Sequence, residues 1–203
     1  MEEQLQKSLV QVARFYDNRK VGDAGFLGFR RSTDLSILLS CLGPLLDEKI
    51  IVPNESLFLD LGCADGRVNV FLSYLAKFSI GIELDEWTLD EYMQLRSELD
   101  KALKEDGLLT PPENIFLFHG DSMDEDVHGA VTSKTGISFE QFDLFYTYLI
   151  MHEEFAGLIV EKAKKGAIFL IYGLQKILPR YHGLRLLEHI SPMEGILAFY
   201  RKE

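Results

Sequence analysis

A short apolar run that ends in a glycine-rich turn is the part of the sequence best suited to binding a ligand. The run Leu57–Leu61 is followed by Gly62, Ala64 and Gly66, and then by a stretch with helical spacing. Small residues let the backbone approach a ligand closely, and a helix N-terminus offers free N–H groups to an anion. Asp60 comes just before the turn, where its carboxylate can face an ammonium group. The sequence therefore predicts a small-ligand site at this turn.

The glycine spacing separates two classes of ligand. A dinucleotide-binding turn has glycine at its first, third and sixth positions. Counted from Gly62, these positions hold Gly62, Ala64 and Arg67. The sixth position therefore lacks the glycine that admits close helix packing, which argues against a nicotinamide-dependent oxidoreductase. A turn with small residues at the first, third and fifth positions fits instead, because the fifth is Gly66.

The segment from Asp60 to Gly66 resembles the first motif of the class I S-adenosylmethionine-dependent methyltransferases, with alanine at the family's middle glycine. In that family the turn holds the methionyl part of the cofactor, and the acid assists with its amino group. The resemblance implies that S-adenosylmethionine is the cofactor. It also implies that the cofactor contacts Asp60, Gly62, Cys63, Ala64 and Gly66.

Three later segments match the same family in the same order. Glu83, next to Leu84, ends the second predicted strand, where a carboxylate can accept hydrogen bonds from both ribose hydroxyls. The resemblance places Asp121, with Ser122, beside the adenine amino group. It places the end of the fourth strand, near Tyr146, beside the transferred methyl. We therefore predict that these five residues complete the cofactor site.

Each of these acids also has a purely structural explanation. Asp60 or Asp65 can cap a helix, Glu83 can be a solvated strand end, and Asp121 can form a turn. The occurrence of all four segments in the family's order favours the cofactor site over four independent coincidences.

Catalytic groups are harder to identify, because methyl transfer from a sulfonium mainly requires alignment of the reactants. Tyr146 and Tyr148 can flank an amine or cationic acceptor through their ring faces, and His152 can act as a base. The alternative is that the tyrosines pack in the core and that His152, with Glu153 and Glu154, begins a solvated helix. Tyr148 replaces the asparagine of the Asn-Pro-Pro-Tyr motif, so methylation of planar nitrogens is not supported.

A narrower resemblance concerns the acceptor. The segment Asp65–Val68, together with Glu83–Trp87, is similar to the non-SET protein lysine methyltransferases and their bacterial relatives. This implies a methyltransferase that acts on a protein side chain or a small molecule. Because no clear catalytic motif is present, a non-catalytic partner subunit that binds the cofactor remains the alternative.

The elements that position these residues follow a regular alternation from about Ser56 onward. Apolar runs separated by helical patterns predict an α/β fold, doubly wound, with a mostly parallel seven-stranded sheet and a C-terminal antiparallel hairpin. We assign residues 56–203 to a Rossmann-like cofactor-binding domain and residues 1–55 to an N-terminal helical extension. Strands are predicted at 57–61, 79–82, 114–118, 142–146, 167–172, 184–190 and 195–200, and helices at 5–15, 34–46, 67–77 and 86–105.

The N-terminal extension contains a glycine-rich loop, residues 17–31, between its two helices. Glycines at 22, 25 and 28 suggest flexibility, whereas Phe26, Leu27 and Phe29 give the loop an apolar surface to bury. Packing on the core and closure over the ligand as a lid are both open at this point. Tyr16 and Arg19, just before the Gly22–Arg31 segment of this loop, can reach the cofactor's carboxylate or the acceptor.

Composition limits the partners. A formal net charge of −11 repels phosphate backbones and disfavours nucleic acid, although Arg19, Lys20, Arg30 and Arg31 are candidates for a local basic patch. Two cysteines, at 41 and 63, make neither a disulfide framework nor a metal set, so no metal is expected. No signal-peptide pattern or membrane-length apolar stretch occurs, which predicts a cytoplasmic protein with no membrane partner. The sequence does not define the oligomeric state.

Overall fold

The computed structural model describes residues 2–19, 21–25, 28–30, 32–174, 178–191 and 196–203. The helices are α1 (Glu3–Asp17), α2 (Leu35–Asp47), α3 (Arg67–Ser73), α4 (Glu86–Glu105), α5 (Glu125–Thr135) and α6 (His152–Lys162). The strands are β1 (Val21–Gly25), β2 (Gly28–Arg30), β3 (Leu57–Leu61), β4 (Phe78–Glu83), β5 (Ile115–His119), β6 (Leu144–Tyr148), β7 (Ile168–Tyr172), β8 (Leu184–Leu186) and β9 (Leu197–Lys202).

Seven strands form the central sheet in the order β5-β4-β3-β6-β7-β9-β8. The first five are parallel, whereas β9 runs antiparallel to both β7 and β8. This confirms the predicted mostly parallel sheet with a C-terminal antiparallel pair. The β8 strand is shorter than predicted, because the chain turns at Leu187, whose carbonyl accepts a hydrogen bond from the N–H of Ser191.

Helices cover both faces of the sheet, as expected for strands that are apolar on both sides. Along β3, Phe58 packs with α1 to α4, whereas the next residue, Leu59, packs with α5 and α6. The alternation arises because successive strand side chains point to opposite faces. The doubly wound architecture is therefore confirmed, and the carboxyl ends of the parallel strands remain as the edge where loops meet.

The end of α3 and the start of β6 also differ from the sequence prediction. Helix α3 ends at Ser73 rather than near residue 77, because the Asn114 side chain caps the carbonyls of Ser73 and Ala76 at 2.9 and 2.8 Å. Strand β6 begins two residues later than predicted. Its predecessor Asp143 accepts a hydrogen bond from the N–H of Leu57 at 2.8 Å, outside the strand. The shift makes Tyr148 the last residue of β6.

The N-terminal extension is helical where predicted, and α1 and α2 share a hydrophobic core with α3. The predicted loop between them is wrong in part: β1 and β2 pair as an antiparallel hairpin, with Val21 opposite Arg30 and Gly25 opposite Gly28. Lys20, Phe26, Leu27 and Arg31 lie outside the described residues, as do residues 175–177 and 192–195. In the described part of the chain, no helix is long and apolar enough to cross a membrane.

Candidate functional site

A cavity of about 760 Å³ opens at the carboxyl ends of β3, β4 and β6. It lies where the chain order of the strands reverses, since β3 has β4 on one side and β6 on the other. Ligands of open α/β sheets bind at this kind of position. The turn after β3 forms the floor of the cavity, and Ser32 and Thr33 from the N-terminal extension contribute to its wall.

The turn after β3 requires the residues that the sequence places there. Gly62 has a φ of 113° and Gly66 a φ of 74°, values that side-chain-bearing residues rarely adopt. At Gly66 an added Cβ would also lie 2.9 Å from the side chains of Leu117 and Tyr92. At Gly62 no atom lies within 4 Å of such a Cβ, so the constraint there is the backbone angle alone. The turn is thereby held open toward the cavity.

Cys63 and Ala64 complete the turn in different ways. The Cys63 N–H donates to the carbonyl of Ile82 at 2.9 Å, and its side chain packs against Gly81. Burial raises the pKa of the Cys63 thiol, so it remains protonated and is a poor nucleophile. Ala64 has a φ of 48° and donates its N–H to Glu83. The structure therefore brings the first motif and the end of β4 into direct contact.

Asp60 is the most unusual group in the cavity. Its side chain is 1% exposed, and neither carboxylate oxygen has a hydrogen-bond partner among the described residues. Burial raises the pKa of Asp60, and the negative charges of Glu83 and Asp65 raise it further. A buried carboxylate without a partner is costly unless a cation or a proton neutralises it. The site is thus suited to a ligand that carries an ammonium group.

Glu83 is held in place by two backbone groups. Its Oε2 accepts from the N–H of Ala64 at 2.8 Å and its Oε1 from the N–H of Asp85 at 2.9 Å. Each oxygen keeps a further lone pair that can accept another hydrogen bond. Glu83 lines the cavity, and the next residue, Leu84, stands at the cavity edge with 67% of its surface exposed.

Asp121 and Ser122, after β5, line the same cavity from the side of β4. Asp121 is exposed and its Oδ1 accepts from the N–H of Met123 at 2.8 Å, so it also forms a local turn. Ser122 is buried, and its carbonyl oxygen lies 2.8 Å from His128 Nε2. The turn-forming and the ligand-facing explanations of Asp121 are therefore compatible.

Of the three candidate catalytic residues, two line the cavity and the third does not. Tyr146 is 1% exposed, lines the cavity, and shares a hydrogen bond between its hydroxyl and that of Thr33. Tyr148 is half-buried at the cavity wall, with its ring 5.6 Å from that of Tyr172. His152 is not among the described residues that line the cavity. His152 is the first residue of α6, and its Nδ1 lies 2.6 Å from the hydroxyl oxygen of Tyr181.

Sequence reasoning missed a cationic residue in the cavity wall. Arg67, 3% exposed, forms a two-bond ion pair with Asp65, its Nε and Nη2 lying 3.0 and 2.9 Å from the carboxylate oxygens. Its Nη1 donates to the Ser32 hydroxyl at 2.9 Å, and its guanidinium lies 5.4 Å from the ring centre of Tyr16. The signal available in the sequence was an acid within the turn, Asp65, two residues before an arginine that directly follows the turn.

Arg19, which the sequence analysis placed within reach of the cofactor, lies close to two acids. Arg19 donates to Glu91 at 2.6 Å and lies 3.7 Å from Asp65, and it is not among the described residues that line the cavity.

Within the described ranges, no three His, Cys, Asp or Glu side chains are grouped as metal ligands.

Comparison with solved structures identifies the class of fold. The chain shares the Rossmann-like fold of the class I S-adenosylmethionine-dependent methyltransferases, which confirms the predicted resemblance at the level of fold. An RNA methyltransferase from Salinibacter ruber, solved with S-adenosyl-L-homocysteine, is 16% identical over 85% of this chain and 93% of that chain, with a TM-score of 0.55. The yhhF protein from Escherichia coli is 16% identical over 83% and 85% of the two chains, with a TM-score of 0.50. No protein-family model and no curated protein matches the chain.

Proposed function

We propose that this protein is an S-adenosylmethionine-dependent methyltransferase. The observation that carries the proposal is the buried, unpartnered carboxylate of Asp60 in a cavity that also contains the backbone-held carboxylate of Glu83. An α-amino group and a ribose are the two parts of this cofactor that such carboxylates recognise. A neighbour in fold is described with the demethylated cofactor bound, which supports the same assignment.

The residues of the cavity fit the separate parts of the cofactor. Asp60 would hold the ammonium group, and Glu83 would accept hydrogen bonds from the ribose hydroxyls. Gly62 lets the backbone approach the ligand, while Leu84, Asp121 and Ser122 would surround the adenine. When bound, S-adenosylmethionine supplies a methyl group already activated by a sulfonium.

The protein's contribution to catalysis is then orientation and exclusion of water. Tyr146 and Tyr148 stand at the end of β6, on the other side of β3 from Glu83. We assign them to the acceptor side, where their rings would align the incoming nucleophile with the methyl group. Because His152 is bonded to Tyr181 rather than lining the cavity, we do not assign it the role of a base.

The acceptor that we propose is a protein side chain or a small molecule. The Salinibacter neighbour is described as an RNA methyltransferase, so RNA belongs in any test of the acceptor, and the sequence-based prediction against nucleic acid stays a prediction. A cytoplasmic location likewise stays a prediction. We also propose that residues 56–203 form the cofactor-binding domain, with residues 1–55 as an extension that completes the cavity wall.

Calorimetric titration with S-adenosylmethionine and S-adenosyl-L-homocysteine tests the proposal directly. We expect both to bind the wild-type protein, and we expect Asp60→Asn to bind neither measurably. Glu161→Gln, an exposed acid on the last turn of α6, is the control and should bind both normally. Failure of both ligands to bind the folded wild-type protein would refute the function.

Methyl transfer itself separates the proposed enzyme from a non-catalytic cofactor-binding subunit. Incubation of cell extract with labelled S-adenosylmethionine and the wild-type protein, with Asp60→Asn as the control, should label a protein band or a small molecule. Cofactor binding without any transfer would support the non-catalytic alternative.

A further inference from the structure

Charge is distributed unevenly along the chain. Residues 162–203 contain eight Lys or Arg and three Asp or Glu, whereas residues 1–161 contain 13 and 29. Two Lys side chains of the C-terminal region form ion pairs in the described structure, Lys162 with Glu125 and Lys164 with Asp143. The region that forms β7, β8 and β9 is therefore a positive part of an otherwise acidic protein.

Two of the remaining cations lie next to each other on the last two strands of the sheet. Arg185 of β8 is directly opposite Arg201 of β9. Because successive side chains alternate between faces, both lie on the face where Leu187 and Phe199 join the core. Like charges in directly opposite positions of an antiparallel pair are destabilising. The pair therefore has a cost that the fold alone does not explain.

The acids of the same region do not neutralise the two arginines. In the described part of the chain, no carboxylate lies within 4.0 Å of either guanidinium. The carboxylate of Glu48 is engaged by His189 at 2.8 Å, and Glu188 and Glu203 are exposed without an ion pair of their own. Paired guanidinium groups without a counter-ion are suited to an anion that comes from outside the chain.

The backbone of β8 is also open on one side, because β8 is the last strand of the sheet. The N–H of Leu187 donates to the carbonyl of Phe199 at 2.8 Å. The carbonyl of Gly183 accepts from the N–H of Glu203 at 3.1 Å. Odd-numbered residues of this segment therefore bond to β9, and the N–H and C=O of Leu186 point the other way. Among the residues that the structure describes, no strand pairs with that side of β8.

Protection of the sheet edge explains only part of this arrangement. A short strand and a charged side chain both prevent unwanted pairing at an edge, and β8 has three residues with Arg185 in the middle. Arg201, however, lies on the inner strand β9, where it protects no edge and adds repulsion. The second arginine therefore favours a surface that recognises an anion.

We infer that the outer edge of β8, with Arg185 and Arg201, is a docking site for an extended polypeptide segment that alternates acidic with apolar residues. The main chain of that segment would bond to the outward N–H and C=O of Leu186 as an added strand. Its acidic side chains would face the two arginines. Its apolar side chains would cover Leu186, which is partly exposed on the other face of the sheet. Neither arginine is among the described cavity residues, so this surface is separate from the proposed cofactor site.

Charge and geometry argue against two other occupants. A second copy that paired through the same edge would bring its own Arg185 beside the first, which adds like charge. A nucleic acid has no peptide backbone to pair with Leu186, and beyond the positive region it would meet the acidic remainder of the protein. A short acidic segment avoids both conflicts.

Binding of defined probes to the full chain tests the inference. The probes are a labelled peptide that alternates glutamate with valine, the same peptide with lysine for glutamate, and an oligoribonucleotide of equal length. We expect only the glutamate peptide to bind, and we expect its affinity to fall as salt is raised. Tighter binding of the oligoribonucleotide, or no binding of the glutamate peptide, would overturn the inference.

Strand addition is separated from simple charge attraction by the backbone of the peptide and of the protein. A glutamate peptide that is N-methylated at alternate residues keeps its charge but loses main-chain donors, and it should bind more weakly. With the unmodified peptide bound, the Leu186 amide should exchange hydrogen more slowly, as NMR can measure, because it gains an acceptor. The Leu187 amide, already bonded to Phe199, is the reference. Unchanged exchange at Leu186 would contradict an added strand.

Charge variants locate the docking site. We expect Arg185→Gln and Arg201→Gln each to weaken binding of the glutamate peptide about twofold to fivefold. Arg14→Gln is the matched control, because it removes the same charge from an exposed position on α1. Equal weakening by all three variants would show general attraction and refute docking at β8. Arg185→Gln should also raise the urea midpoint slightly, since it removes the like-charge pair, and a lower midpoint would assign Arg185 a structural role instead.

Discussion

The hydroxyl groups of Thr33 and Tyr146 share a buried hydrogen bond that joins the N-terminal extension to the end of β6. Thr33 is 5% exposed and Tyr146 is 1% exposed, so neither hydroxyl has ready access to bulk water. Burial raises the pKa of Tyr146, with the nearby carboxylate of Asp60 as the next cause. Tyr146 therefore remains protonated, and Thr33 fixes its orientation in the cavity wall.

This pairing predicts non-additive effects on stability. Thr33→Val should leave the Tyr146 hydroxyl without a partner and lower the free energy of unfolding by about 1–3 kcal/mol. Tyr146→Phe should have a similar effect through Thr33. The double variant should be more stable than the sum of the two single losses implies, by about 0.5–3 kcal/mol. Urea unfolding of the four proteins measures this coupling, and additive losses would show that the two hydroxyls do not interact.

Asp60 should make the ligand-free protein less stable at neutral pH. Because its folded pKa is raised above the unfolded value, the folded state binds more protons, and stability falls as pH rises from about 4 through the raised pKa. Asp60→Asn should remove this dependence and, at pH 7, gain about 1 kcal/mol or more. Thermal unfolding from pH 4 to 8 measures both effects. An Asp60→Asn variant that is less stable than wild type at pH 7 would argue against a buried unpaired charge.

Two glycines with equal space and different backbone angles test the turn. Neither Gly62 nor Gly157 has an atom within 4 Å of an added Cβ, but Gly62 has a φ of 113° and Gly157 lies inside α6. Gly62→Ala should destabilise by about 1–2 kcal/mol through backbone strain and should weaken cofactor binding. Gly157→Ala should stabilise by about 0.4–1 kcal/mol, because alanine favours the helix. Urea unfolding and calorimetry on both variants measure the two effects, and equal changes in stability would show that the backbone angle at Gly62 imposes no strain.

Glu83 accepts hydrogen bonds from two backbone N–H groups, whereas the sequence analysis expected either a ribose contact or a solvated strand end. Glu83→Ala would remove the acceptors of two backbone N–H groups as well as any contact with the ribose. Glu83→Gln is the sharper change, because it retains one acceptor oxygen. We expect it to weaken cofactor affinity by about 1.5–3 kcal/mol, the contribution of a charge-assisted hydrogen bond. Calorimetry measures the loss, with Glu161→Gln as the control, and an unchanged affinity would remove Glu83 from the site.

The sequence predicted the elements that depend on local pattern. Strand β3 and helix α4 have the predicted bounds. The strand is a short apolar run, and the helix follows the N-cap residue Asp85, whose side chain accepts a hydrogen bond from the N–H of Trp87. The end of α3 was missed, because Asn114, about forty residues away, caps its last carbonyls. Long-range side-chain contacts of this kind leave no periodic signal.

The same distinction holds for the candidate site. Asp60, Glu83 and Asp121 were predictable because each follows a strand of recognisable pattern. Ser32 and Thr33 were not, since their place in the cavity wall depends on Arg67 and Tyr146, which lie more than thirty residues further along the chain. The pairing of β1 with β2 was missed for a related reason: glycine-rich strands carry no apolar alternation.

The hairpin of β1 and β2 precedes, along the chain, the residues Ser32 and Thr33 that line the cavity. Its second strand leads directly into Ser32–Asp34, a segment tied to the cavity by Arg67 and Tyr146 and to β7 by a 3.2 Å hydrogen bond from the Asp34 N–H to the Tyr172 hydroxyl. A ligand that contacts Ser32 or Thr33 would therefore also restrain the hairpin.

We predict that amides at 21–25 and 28–30 exchange hydrogen more slowly when S-adenosyl-L-homocysteine is bound, because the ligand disfavours local opening of the hairpin. Amides of β7, inside the sheet, serve as the reference and should change little. Thr33→Val should reduce the protection of the hairpin if the segment transmits the restraint, whereas Met93→Ser, at an exposed position on α4, should not. Equal exchange of the hairpin in the free and bound proteins would show that the hairpin is part of the scaffold and takes no part in ligand binding.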